Sequence, residues 1–294
     1  MITFIIICIF IFLFVYVPLI PFLISNLHNI GIYGLKDISL YFKYKRFNNY
    51  VGFGSIYMYT ASGSQVFGSG KTASMVNDVF SIYNRYNGKL VYSEKEKKFV
   101  RQNIHIISNV EMYGVDYIPF TSVNQFIDID KYGFGENDIT LYVLDESGAI
   151  FNSRQFKDNI STDMLNRLLQ SRKNKACLFM TSQRFIFTDK LLREICSKVY
   201  ECKKTWRIMK NTSYNPLDLE YALNPQLIKP RSVKYWFASD KSFKRYNTYQ
   251  LVEKLNKDYV PLSDEEILTR RGSQDGSLEN AARVKRKYRP HKQL

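Results

Sequence analysis

The chain has 294 residues, 45% of them apolar, which is enough for a full α/β core with additions and excludes intrinsic disorder as a description of the whole. A formal charge of +15, from 42 Lys plus Arg against 27 Asp plus Glu, points to a polyanionic partner, either nucleic acid or the anionic inner leaflet of a membrane. Four cysteines, Cys8, Cys177, Cys196 and Cys202, without C-x-x-C spacing, and three scattered histidines argue against a zinc site or a disulfide framework.

From Ile2 to Ile24 no side chain is charged. As a helix, at about 1.5 Å per residue, this run reaches about 34 Å, slightly more than a hydrocarbon core. It lacks a basic leader, exceeds the usual length of a signal-peptide core and has no A-x-A-like site before Ser25, so residues 1–25 read as a retained transmembrane anchor. Pro18 and Pro21 place any bend near its C-terminal end. The first basic residues after it, Lys36, Lys43, Lys45 and Arg46, predict a single-pass protein with its N-terminus outside and the remainder in the cytoplasm, where ATP is available. Residues 26–50 then form a juxtamembrane linker.

Ser55 to Thr60 predicts a strand and Lys71 to Tyr86 a helix, closed by the Asn-Gly of "RYNGKL". Between them lies Gln65-Val-Phe-Gly-Ser-Gly-Lys-Thr72. It follows the phosphate-loop pattern G-x-x-x-x-G-K-[ST] except at its first position, where Gln65 stands in place of glycine and Gly63 lies two residues earlier. Gly68, Ser69 and Gly70 are small enough for successive backbone N–H groups to converge on a phosphate at a helix N-terminus. In this reading Lys71 bridges the β- and γ-phosphates of ATP and the Thr72 hydroxyl ligates Mg²⁺.

Strands are predicted next at Asn103 to Val110 and Ile139 to Leu144, with a helix at Thr121 to Ile127 between them. "ITLYVLDE" is an apolar strand ending in two acids. Asp145 is predicted to hold Mg²⁺ through water and Glu146 to act as general base on the attacking water. A helix at Asp158 to Ser171, a strand at Ala176 to Ser182, a helix at Asp189 to Val199 capped by Thr188 or Asp189, and a strand at Val199 to Lys203 complete the alternation. The order predicts an α/β fold with a mostly parallel, doubly wound sheet. At the end of "ACLFMTSQ", Gln183 is chosen over Thr181 and Ser182 as a polar sensor of the γ-phosphate. Arg154, Arg172, Arg184 and Arg193 surround the sheet, and one of them, supplied to a neighbouring subunit, would stabilise transition-state charge. Arg172 is the favoured candidate, although the sequence does not identify this residue.

Residues 51–204 therefore form a P-loop ATPase core. Residues 205–262 read as a β-rich addition, and 263–294 as a basic flexible tail that fits DNA contact and a membrane-skimming segment equally.

With "GSGKT", "YVLDESGAIFNSR", "LLQSRKNKACLFMTSQ" and "LLREICSKVYECKK" in this order, the chain resembles the zonular occludens toxin-like (Zot-like) family. These are assembly ATPases of filamentous phages within the FtsK/HerA group of DNA-pumping P-loop ATPases. The resemblance covers about Gly52 to Lys204, and "NIHIISNVEMYG" and "FKRYNTYQLVE" look like further family segments. Its most specific part is the Asp-Glu strand followed eight residues later by Arg154. It implies Lys71 and Thr72 for nucleotide and Mg²⁺, Asp145 and Glu146 for hydrolysis, and Gln183 as the sensor. It also implies a homo-oligomeric ring at the host inner membrane that drives virion assembly and extrusion of phage DNA. Single-stranded DNA or its coat complex, and phage assembly proteins, would be the partners. Gln65, and a membrane span that precedes the ATPase core, depart from the family pattern. A conjugative, FtsK-like coupling ATPase and a membrane scaffold switched by nucleotide binding are the alternatives, and ATP hydrolysis separates the scaffold from the motors.

Overall fold

A computed structural model of the chain describes residues 19–63, 66–126, 128–147, 162–222, 224 and 227–247. Most of the predicted anchor, Gln65, Arg154 and the basic tail lie outside the described residues. Among the described residues no helix is long and apolar enough to cross a membrane.

In chain order the elements are α1 (Leu19–Ser25), α2 (Leu27–Lys43), β1 (Ile56–Ala61), α3 (Lys71–Tyr86), β2 (Lys89–Ser93), β3 (Lys98–Gln102), β4 (Ile104–Ser108), β5 (Ile118–Pro119) and β6 (Ile139–Leu144). They continue with α4 (Thr162–Leu169), β7 (Ala176–Thr181), α5 (Lys190–Ile195), β8 (Lys198–Thr205), β9 (Ile208–Tyr214), α6 (Pro216–Tyr221), β10 (Ser232–Phe237) and α7 (Asp240–Phe243). The chain forms two compact units, Met1–Val51 with Tyr86–Gln102, and Gly52–Arg85 with Asn103–Leu294.

In the first unit β2 and β3 make an antiparallel hairpin. The chain after α2 docks on it through the Tyr44 and Tyr92 rings, tilted against each other with 4.2 Å between centroids, and through Asn48 Nδ2 donating to Leu90 O at 2.9 Å. On α2 itself Leu27, Leu35, Ile38 and Phe42 are all exposed.

In the second unit, eight strands of the described residues form one sheet in the order β10-β9-β8-β1-β7-β6-β4-β5. The six strands from β8 to β5 run parallel. β9 and β10 are antiparallel, so the sheet is mixed at one edge while remaining mostly parallel as the sequence predicts. Only two residues join β8 to β9, with Trp206 at φ 56°, and so short a link can form a hairpin but no crossover. β6 and β7 are buried at every position, as strands covered on both faces must be, and this explains their unbroken apolar runs. One face, carrying Met58, Tyr142, Leu144, Leu178 and Met180, packs on Phe120, Phe126, Tyr132, Leu168 and Leu192. α3 covers the other face, where Tyr59 on β1 donates to Asp78 at 2.9 Å.

The helix expected at Thr121 to Ile127 is instead a pair of 3₁₀ turns, Val123–Phe126 and Asp128–Tyr132. Gln125 Oε1 accepts from the N–H groups of Thr121 and Ser122, and Ser122 Oγ accepts from that of Asn124, so side chains take donors that start a turn rather than a longer helix. The helix expected at Asp189 to Val199 stops at Ile195 because Lys198 already opens β8. Asp189 caps it, accepting from the Leu191 N–H at 2.8 Å.

Candidate nucleotide site

In a parallel sheet the ligand crevice opens beyond the C-terminal ends of the strands. Here β1 runs into the phosphate loop, β6 into Asp145 and Glu146, and β7 ends at Thr181. Gly68, Ser69, Gly70, Lys71, Thr72 and Asp145 line one cavity of about 270 Å³. Gly68 and Gly70 have φ of 67° and 85°, a left-handed backbone that turns successive N–H groups inward and that glycine adopts without strain. A Cβ on Gly70 would lie 2.7 Å from the Met209 Sδ, so a side chain there would require the buried Met209 tip to shift.

The Thr72 hydroxyl donates to both oxygens of the Asp145 carboxylate, 2.9 Å from each. An alcohol and a carboxylate held this closely are hard oxygen donors of the kind Mg²⁺ takes. The buried Ser69 hydroxyl has no hydrogen-bond partner in the protein, which fits a loop whose acceptors arrive with a ligand. Lys71 Nζ donates to the Val66 carbonyl at 2.8 Å. Burial lowers the Lys71 pKa from its ordinary value, while the charges of Asp145, the Cys202 thiol and Glu146 act in the opposite sense.

Several residues that the sequence reading did not select support Asp145. Asn109, just past β4, accepts from the Asp145 N–H at 2.7 Å and donates to its carbonyl at 3.0 Å. Thr181 Oγ1 donates to the Asp145 carboxylate and accepts from the Glu146 N–H. The rule that selected Asp145, a polar residue at the end of an apolar parallel strand, also selects Asn109. Thr181 follows from register: Leu144 pairs with Met180, so the next residue of each strand faces the other.

The remaining predicted residues are placed differently. Glu146 is exposed, has φ 51° and does not line the cavity, though it is near enough to bear on Lys71. Gln183 is half-buried beyond β7, its carbonyl accepting from the Ala61 N–H at 3.4 Å, and its side chain does not line the cavity. Arg172 is exposed at the opposite, N-terminal edge of the sheet, where a Cβ on Gly54 would lie 2.6 Å from the Arg172 Cβ. Arg193 is engaged with Glu220 at 2.9 Å. Arg184 is exposed just past the end of β7, at the same edge as the loop.

The fold is an α/β core with a mostly parallel mixed sheet, and the site pairs a glycine-rich loop at a helix N-terminus with a strand-end carboxylate, an arrangement suited to binding phosphate. Among solved structures the chain is similar to the N-terminal domain of zonular occludens toxin from Neisseria meningitidis, at 15% identity over 66% of this chain and 98% of that one, with a TM-score of 0.41. It is also similar to the genome packaging NTPase of Sulfolobus turreted icosahedral virus 2. With ATPγS bound that protein matches at 10% identity over 63% of this chain and 98% of its own, TM-score 0.37. With AMP bound the values are 11%, 67%, 96% and 0.36. No family model matches the chain, and no curated protein matches it in sequence.

Proposed function

We propose that this chain is a Mg²⁺-dependent ATPase of the Zot-like kind, anchored in the inner membrane with its ATPase unit in the cytoplasm and working in a homo-oligomeric ring to drive filamentous phage assembly and DNA extrusion. The observation that carries the enzymatic part is the convergence of Lys71, Thr72 and Asp145 on one cavity, with Thr72 and Asp145 in direct contact at 2.9 Å. Loop N–H groups and Lys71 bind the β- and γ-phosphates. Thr72 and Asp145 would hold Mg²⁺, which when bound neutralises phosphate charge. Glu146 takes a proton from the water that attacks the γ-phosphorus; the bond to the bridging oxygen breaks, releasing ADP and phosphate. Single-stranded DNA or its coat complex is the cargo that the +15 charge favours.

The exposed side chain of Glu146, outside the cavity lining, is the feature that favours the nucleotide-switched scaffold. Hydrolysis by the full chain distinguishes the two. Lys71→Ala is expected to lower the rate by at least about 100-fold. Glu146→Gln is expected to do the same while nucleotide still binds. Equal rates for the wild type and both variants would remove the motor.

A further inference from the structure

The nucleotide cavity has two unlike walls. One is the phosphate loop with Lys71, Thr72 and Asp145. The other belongs to Ser239–Asn247, a segment that leaves β10, turns through α7 and docks on the loop after β4. Two backbone bonds hold it there: the Tyr113 N–H donates to the Arg245 carbonyl at 2.8 Å and the Asn247 N–H to the Glu111 carbonyl at 3.2 Å. Arg245 also ties it to α3, donating to Asn77 Oδ1 at 3.1 Å with its guanidinium 4.8 Å over the Phe80 ring. From this segment Phe243, Tyr246 and Asn247 reach the cavity, joined by Met209 and Val110.

A triphosphate and its metal need donors and oxygen ligands, and the loop side supplies them. Aromatic rings and a thioether serve neither need, but they suit a flat, electron-poor nucleobase. We infer that Ser239–Asn247 is the base-recognising wall of the site, with the half-buried Phe243 ring stacking on the base of a nucleoside triphosphate whose phosphates lie in the loop. This rests on the nucleotide-site reading above and adds to it the part of the ligand that the phosphate loop does not read. Lys204 already lies with its Nζ 4.9 Å from the centroid of the Phe243 ring, so the ring face accepts electron-poor partners. The Lys204 Cβ lies 3.6 Å from where a Cβ on Gly70 would be, and Lys204 lines the same cavity as the loop. Phosphate therefore draws Lys204 toward the loop and leaves the ring to the base.

The test is calorimetric titration of the full chain with Mg-ATP and, separately, with Mg-tripolyphosphate, which has the phosphates and no base. Phe243→Ala, and Phe243→Leu as the variant that keeps apolar packing, should each weaken ATP by about 5- to 100-fold and leave tripolyphosphate within about twofold. Phe243→Trp should keep ATP affinity. Unchanged ATP binding in the Ala and Leu variants, equal weakening of both ligands, or wild-type protein that prefers tripolyphosphate to ATP would each overturn the base wall while leaving the phosphate loop standing. Wild-type protein that binds neither ligand overturns the nucleotide site itself, and the base wall with it.

Discussion

The two edges of the central sheet are built on different plans. At the N-terminal edge the polar groups answer one another: Asp138 accepts from the N–H groups of Asn103 and Gly135, both at 2.9 Å, and its other contact, His105 Nε2, lies at 3.0 Å. His105 in turn stacks on Phe134 at 3.8 Å. At the C-terminal edge the phosphate loop holds a buried hydroxyl, Ser69 Oγ, with no partner, beside a lysine whose pKa burial depresses. Left-handed backbone marks both edges, at Lys175 (φ 47°) and at Glu146 (φ 51°), so strain alone does not locate a ligand site. What separates the edges is whether polar groups are closed on each other or left facing a cavity.

The largest expected effect is at Gly70. Gly70→Ala places a methyl against Met209 at a φ that L-residues resist, and should weaken ATP binding by about 100-fold and stability by about 1–3 kcal/mol. Adding Met209→Ala relieves the clash but not the backbone, so urea melts should recover part of the stability while titration shows no recovery of affinity. Normal ATP binding by the single variant would mean that the loop backbone is not the cradle. Next is Thr181→Val, which removes the hydroxyl that orients Asp145. It should cost about 10- to 100-fold in Mg²⁺ dependence of hydrolysis and leave nucleotide binding in chelator nearly unchanged.

The smallest effect on activity belongs to the opposite edge. Burial would raise the Asp138 pKa, but the hydrogen bonds from His105, Asn103 and Gly135 outweigh it and hold the carboxyl below its ordinary value. The folded value is the depressed one, so its stabilisation is complete above the ordinary carboxylate range and is lost as pH falls through the lower folded value. Asp138→Asn should lower stability by about 1–3 kcal/mol at neutral pH, flatten that acid slope in urea melts, and leave kcat unaltered. A fall in kcat would erase the contrast between the edges.

Much of this fold is legible in the chain itself, for identifiable reasons. "ITLYVL" and "ACLFMT" are central strands buried on both faces, and α3 carries its own punctuation, a loop of small residues before it and Asn-Gly after it. The preference for Gln183 over Thr181 shows where local reading stops. Which strand-end residue meets Asp145 depends on the pairing of Leu144 with Met180, a relation between segments 36 positions apart. The hairpin β2–β3 interrupts the alternation with charged, half-exposed strands, and although "FKRYNTYQLVE" stands out as a segment, its place beside the cavity depends on partners at Asn77 and Glu111 that local sequence does not reveal.

The contact between Met209 and the phosphate loop has a practical corollary for anyone trimming the gene. A fragment ending at Lys204 would retain the phosphate loop and the Asp-Glu strand yet strip the cover from Gly70, the Asn211 acceptor 3.0 Å from the Ser74 hydroxyl, and the Lys234 ammonium 2.6 Å from Asp78. The shortest self-sufficient piece to express therefore continues through Asn247.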